Sequence, residues 1–151
     1  MLTSYCVAVS EPVSAENVVG NVTERMGFEI PSRMELIRET IDDIMDNVNT
    51  ANLNMNFMRL VIEEALSNAM EHGNEFDPSK TVYINVGVTN VSLVIRIRDQ
   101  GNGFDYNSVP DPRSEATLWN RRGRGVFLMQ KIMDEVIYTH NGSEVTLVKD
   151  V

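Results

Sequence analysis

The stretch Thr81-Val82-Tyr83-Ile84-Asn85-Val86-Gly87-Val88-Thr89-Asn90-Val91-Ser92-Leu93-Val94-Ile95-Arg96-Ile97-Arg98-Asp99-Gln100-Gly101-Asn102-Gly103 decides the fold. Val82, Ile84, Val86 and Val88 alternate with Thr81, Tyr83, Asn85 and Gly87. Past a Thr89-Asn90 turn, Val91, Leu93, Ile95 and Ile97 repeat the alternation. A period of two with the apolar residues on one side predicts an antiparallel hairpin with one buried face. Its second strand runs into Asp99-Gln100-Gly101-Asn102-Gly103, where glycines let the backbone turn and approach a ligand closely while Asp99 offers an acceptor carboxylate. An ordinary glycine turn has the same composition. A dinucleotide fingerprint is excluded, because its glycines open a helix inside a parallel β-α-β unit.

Upstream the period lengthens. After Pro31 and Ser32, the latter a plausible cap, Met34, Ile37, Ile41, Ile44 and Val48 recur every three or four residues between charged ones and predict a first helix. The asparagine-rich segment 47–56 reads as a connection. A second helix over about 56–72 carries Phe57, Val61, Ala65 and Ala69 on one line and Met58, Ile62, Leu66 and Met70 on the next. It is apolar around much of its circumference and should be central. Gly73 is a natural stop. Downstream, residues 104–122 show no period and hold Pro110, Pro112 and the lone Trp119. A stretch of about 20 such residues inside a compact domain is usually functional or disordered; flanked by glycine motifs, it reads as a lid over a ligand. A third helix from Gly125 to Asp134 precedes a second hairpin, Val136–Thr139 and Val145–Val148 around Asn141-Gly142. Helices on one face of a mixed, mainly antiparallel sheet give an α+β, two-layer α/β sandwich.

The chain has 151 residues, which suits one domain with a core of its own. We place that domain at 29–151, behind an N-terminal extension 1–28 whose most strand-like part is Tyr5–Val9. With 42% hydrophobic and 23% charged residues the composition is globular. No apolar run approaches the ~18–20 residues of a membrane span, and Met1–Cys6 lacks the basic front of a secretory signal. A single cysteine, Cys6, fits the reducing cytoplasm. Thirteen basic against 22 acidic residues give −9, which argues against direct nucleic-acid binding and against an anionic membrane surface.

Two more clusters bear chemistry. Glu64, Asn68 and His72, four apart, project from one stripe of the second helix. A carboxylate one turn from an amide oxygen suits a general base beside a hard-metal ligand, although Glu63, Glu71 and His72 taken singly read as a solvated edge. Arg121-Arg122-Gly123-Arg124-Gly125-Val126 opens a helix. Free amides, glycines and three arginines there make an anion site, the bland alternative being a basic turn against an acidic surface.

Taken in order, Glu64-x-x-x-Asn68, Asp99-x-Gly101-x-Gly103 and Gly123-x-Gly125 before a helix resemble the three ATP-binding boxes of the GHKL (Bergerat-fold) ATPases. The fuller strings Glu64-Ala65-Leu66-Ser67-Asn68-Ala69 with His72-Gly73, and Arg122-Gly123-Arg124-Gly125-Val126-Phe127-Leu128-Met129 with Met133-Asp134-Glu135-Val136, resemble the RsbW-type branch of anti-sigma factors and protein-serine kinases. The resemblance spans roughly residues 29–149 and implies ATP and Mg²⁺ as cofactors. It implies Glu64 as the base that activates a serine hydroxyl or water, Asn68 as the Mg²⁺ ligand, and Asp99 as acceptor for the adenine amino group. Gly101 and Gly103 would lie against the nucleotide; Gly123, Arg124, Gly125 and Val126 would cradle phosphates; Arg121 or Arg122 would meet the γ-phosphate. Ser143 stands where the family usually has threonine near the adenine.

The implied function is an ATP-dependent protein-serine kinase and anti-sigma regulator in a bacterial partner-switching system. It would bind a sigma factor or analogous regulator and phosphorylate a STAS-domain anti-anti-sigma protein. The alternative is a nucleotide-binding anti-sigma or adaptor module with little or no kinase activity. A histidine-kinase catalytic domain would need a preceding helix pair bearing the phosphorylated histidine, whereas His72 and His140 both fall inside the domain. The Met34, Ile37, Ile41 stripe and a sheet edge are candidate homodimer surfaces beside the plainer reading as core.

Overall fold

The computed structural model describes residues 22–48, 52–103 and 121–151, with backbone alone for 22–24 and 121–124. Five strands, β1 (Val22–Pro31), β2 (Thr81–Thr89), β3 (Ser92–Arg98), β4 (Glu135–Thr139) and β5 (Glu144–Asp150), form one sheet in the order β1-β2-β3-β5-β4. All four pairings are antiparallel. The helices are α1 (Ile37–Asn47), α2 (Met55–Asn68), which runs on through a π-helical turn at Ala69–Gly73, and α3 (Arg121–Ile132).

The alternation in the deciding stretch is the alternation of burial. Val82, Ile84, Val86 and Val88 are buried in β2, and Leu93, Ile95 and Ile97 in β3. Register stacks these residues into rows across the sheet: Phe28 opposite Ile84, Ile84 opposite Ile97, Ile97 opposite Val145. Their side chains join those of α1, α2 and α3 in one core, so the helices cover this face. The other face carries charged residues, with Arg96 Nε 3.6 Å from Glu144 Oε1, beside a buried Val94 paired with Val148. Thr89 closes the β2–β3 turn, its Oγ1 accepting from the amides of Val91 and Ser92 at 3.1 and 2.8 Å. Val91 therefore belongs to the turn and is exposed, off the buried row predicted for it.

α2 sits centrally, against α1 on one side and α3 on the other. Asn54 starts it by accepting the Phe57 amide at 3.1 Å, which satisfies one of the helix's orphan donors. Met58, Val61, Ile62, Ala65, Leu66, Ala69 and Met70 are buried, yet Phe57 is 52% exposed. Residues four apart advance 40° round a helix of 3.6 residues per turn, so the line that buries Ala65 and Ala69 reaches solvent by Phe57.

Three further expectations change. Ser32 caps no helix: α1 is preceded by a 3₁₀ turn at Met34–Leu36, and Ser32, buried, donates instead to the Lys80 carbonyl at 3.1 Å. The Met34, Ile37, Ile41 stripe, by contrast, follows the favoured reading as core: Ile37 and Ile41 are buried, and Met34, 41% exposed, stays at the surface. α3 is already helical at Arg121, its first described residue, so Gly125 lies inside the helix, where it permits the close approach of Glu64 from α2. Residues 22–28, assigned from sequence to the extension, form part of β1, with Phe28 and Ile30 in the core. Tyr5–Val9, most of the lid and Trp119 lie outside the described residues. Among the described residues no helix is long and apolar enough to cross a membrane.

Removing a side chain from the centre of this layer should cost far more than removing the exposed aromatic. Ile62→Ala is expected to destabilise by about 2–5 kcal/mol, and Phe57→Ala to stay within about 0.5 kcal/mol, as read from urea-unfolding midpoints; equal losses would remove α2 from the centre.

Candidate nucleotide site

A cleft of about 380 Å³, counting its open mouth, lies between α2 and the ends of β3 and β5. Its apolar wall is Ala65 and Ala69 from α2, Ile97 and Val145 from the core row, and Met129 from α3. Asn68, His72, Asp99 and Ser143 supply its polar groups, with Gly73, Gly103 and Gly142 as bare backbone. Seven of the thirteen lining residues come from the run Ala65–Gly73 or from the loop Asp99–Gly103, so the site is built chiefly where α2 meets the end of β3.

Asp99 follows β3 directly and is 8% exposed. Its amide donates to the Ser143 carbonyl at 2.9 Å, and its Oδ1 accepts the Gly101 amide at 2.8 Å. No donor among the described residues reaches the second oxygen. Burial pushes the carboxyl pKa above its ordinary value, and the Gly101 amide, Arg98 and Lys80 offset this only in part. A desolvated carboxylate with one oxygen fixed and the other undonated is suited to an N–H from a bound molecule.

The glycines act by what their missing side chains permit. A methyl on Gly73 would run into the Asp99 carboxylate, one on Gly101 into the Gly73 carbonyl, and one on Gly103 into the Asn141 carbonyl. Gly103 also has φ +82°, where a side chain is strained. The glycines that sequence assigned to close contact with a ligand thus make close contacts of the protein with itself. The π turn, with the Asn74 amide reaching back to the Ala69 carbonyl at 2.8 Å, delivers Gly73 to this place; such single-turn bulges recur at functional sites.

The stripe of Glu64, Asn68 and His72 divides in the structure. Asn68 and His72 line the cleft, and all three side chains are half-buried. Glu64 stands outside the lining, against α3: a methyl on Gly125 would lie 2.5 Å from Glu64 Oε2 and 3.6 Å from Asn68 Nδ2. The carboxylate and the amide therefore converge beside the amino-terminal part of α3. Residues 121–124 are the first described turn of that helix, and the Val126 side chain is in the core. The side chains of Arg121, Arg122 and Arg124 lie outside the described ones, as does anything Gly123 would show beyond its backbone. Ser143 is buried, its hydroxyl donating to the His140 carbonyl at 2.8 Å.

Sequence reasoning passed over Asn74. It is fully buried and bonds three separate segments of chain. The signal available was its place just after Gly73, the predicted helix stop.

A buried carboxylate acceptor in a mainly apolar slot, with a polar stripe running from it toward α3, fits an adenine nucleotide laid along the slot. Residues 30–149 match the histidine kinase-like ATPase domain, and the chain belongs to that family. Its resemblance within the family is to RsbW-like proteins: it is 24% identical to the serine-protein kinase RsbW of Bacillus subtilis over 85% of this chain and 87% of that one. It is 36% identical to the anti-sigma F factor of Anoxybacillus flavithermus over 61% of this chain and 66% of that one. The serine-protein kinase RsbW of Staphylococcus aureus strain MSSA476 is 25% identical, over 81% of this chain and 84% of the other.

The raised pKa of Asp99 has a measurable sign. A carboxyl whose folded pKa lies above its unfolded one contributes stability that is complete below the unfolded pKa and is lost as pH rises through the folded pKa. At neutral pH the ionised group is therefore a cost to the free protein. Asp99→Asn should melt above wild type at pH 7, with the difference closing as pH falls toward 4, and should no longer bind ATP. A variant that melts lower at pH 7 and keeps its affinity would contradict this assignment.

Proposed function

We propose that this protein is an ATP-dependent protein-serine kinase and anti-sigma regulator, acting on a STAS-domain anti-anti-sigma protein and binding a sigma factor or analogous regulator. The observation that carries the proposal is the convergence of Glu64 and Asn68 beside Gly125 of α3, next to the cleft that holds Asp99. The names of the relatives, serine-protein kinase and anti-sigma F factor, support it.

In this reading Asp99 accepts the adenine amino group, and Ser143 holds the neighbouring backbone in place through its bond to His140. Gly103 gives bare backbone to the cleft beside the base, and Gly101 lets the loop close on Gly73. ATP, when bound, supplies the transferable phosphoryl group. The amides of Arg121, Arg122, Gly123 and Arg124 offer donors to its phosphates, Gly125 and Val126 continue the helix behind them, and the arginine charges neutralise the same oxygens. The Asn68 side-chain oxygen is the protein ligand for Mg²⁺, an ion that commonly takes one or two protein ligands and fills its shell with water and phosphate oxygen. Glu64, within reach of the same helix head, takes the proton from the serine hydroxyl of the partner. Phosphoryl transfer asks for little beyond this positioning and charge neutralisation.

The partner surface is a separate matter from the nucleotide. Glu35, Glu39, Asp43 and Asp46 are exposed on and before α1, and with a net charge of −9 the exterior suits a basic protein such as the DNA-binding region of a sigma factor.

Glu64→Ala is expected to bind ATP with near wild-type affinity while radiolabel transfer from ATP to a serine of the STAS partner falls by at least about a hundredfold, the scale of a lost general base. Transfer that survives the substitution would exclude Glu64 as the base. If the wild-type chain binds ATP and no serine is ever labelled, the protein is a nucleotide-binding anti-sigma module instead.

A further inference from the structure

Asn74 is 0% exposed and forms side-chain hydrogen bonds at every polar atom it has. Its Nδ2 donates to Ser32 Oγ at 2.7 Å and to the Thr81 carbonyl at 3.0 Å. Its Oδ1 accepts the Gln100 amide at 2.7 Å. Ser32 is itself tied down, its amide and hydroxyl both donating to the Lys80 carbonyl at 3.0 and 3.1 Å. One amide group thereby clamps the end of α2 to the connection after β1, the start of β2 and the loop after β3. An aspartate lacks the two donors, a glutamine is one methylene too long for a close-packed site, and an apolar residue would leave the Gln100 amide and the Thr81 carbonyl short of partners.

The Gln100 amide belongs to the peptide that immediately follows Asp99. The Asp99 amide is held by the Ser143 carbonyl and its Oδ1 by the Gly101 amide. Both of these restraints come from β3's own loop or from the hairpin beside it. The bond from Asn74 is the hydrogen bond that fixes the loop to the helical layer, and Gly73, one residue earlier, has no Cβ so that Asp99 can sit against it.

We propose that Asn74 is a positioning residue for base selection: it fixes the Asp99–Gly101 loop against α2, and so sets the preference for a purine carrying a 6-amino group. The inference rests on the adenine reading of Asp99 and concerns a residue that need not touch the nucleotide. It differs from a purely structural role in one respect. A structural loss weakens every nucleotide alike, whereas a displaced Asp99 weakens only those that donate to it.

The test compares calorimetric affinities for Mg-ATP and for purine riboside 5′-triphosphate, which lacks only the amino group, in wild type, Asn74→Ala and Ser32→Ala. Wild type should prefer ATP. Asn74→Ala should lose about tenfold of that preference, the worth of one well-placed hydrogen bond, with affinity for the analogue kept within about twofold of wild type by the same measure. Ser32→Ala removes one acceptor of Asn74 without creating a large cavity, so it reads the same effect, at about threefold, even if Asn74→Ala fails to fold. Variants that melt lower but keep the wild-type ratio, or lose both ligands equally, overturn the proposal while leaving the adenine reading intact. A wild type indifferent to the amino group overturns the adenine reading itself, and the role of Asn74 with it.

Discussion

The constraint on which the rest depends is the approach of the last turn of α2 to the loop that leaves β3. Two backbone segments come into contact there without room for a Cβ at either Gly73 or Gly101. The helix reaches that point because its final turn widens from α to π geometry, which spends one extra residue and redirects the chain. Asn74 then locks the contact from within the core. Glu64 and Asn68 stand earlier on the same unbroken element. A single rigid helix therefore carries the polar groups at one end of the cleft and sets the carboxylate at the other. Their separation is fixed by helical rise rather than by a flexible connection.

This arrangement accepts instability at one point. Asp99 is kept out of water by the same packing that holds it still, and its ionised form is disfavoured as a result. A surface carboxylate would cost nothing, but it would keep its own hydration shell and discriminate weakly. The compensation is spread through the fold around it: the continuous core rows from Phe28 through Ile84 and Ile97 to Val145, and the satisfied polar atoms of Asn74 and Ser32.

The sheet was the most legible part of the sequence, because a two-residue period records which face is buried; β2 keeps it as far as Val88, and in β3 Val94 breaks it by being buried on the opposite face from Leu93 and Ile95. α2 was legible in extent but not in detail. Its i, i+4 line was taken as a straight stripe, and the drift of that line put Phe57 into solvent. β1 carries an inward pair, Phe28 and Ile30, but Gly27 and Pro31 look like breaks when no partner strand is in view, and pairing with β2 is a contact across some fifty residues of chain. Ser32 misled for a related reason. A serine before a helix usually caps it, and only the tertiary partners Lys80 and Asn74 show why this one does not. At the site, residue types were readable and their division of labour was not. Gly101 and Gly125 were recognisable as positions of close approach, yet the groups they approach, the Gly73 carbonyl and the Glu64 carboxylate, lie far away in sequence.

Charge shows the same separation of scales. A net charge of −9 speaks against an anionic ligand if it is spread evenly. A helix start needs only its own few free amides to attract phosphate, however, since their field is confined to the first turn. The Arg121–Arg124 segment places three basic residues at that start, and α2 brings Glu64 and Asn68 beside it. With salt screening charges beyond about 8–10 Å, the acids exposed on α1 act on whatever docks outside, not on a ligand in the cleft. On the function proposed above, overall charge bears on the protein partner and local charge on the nucleotide.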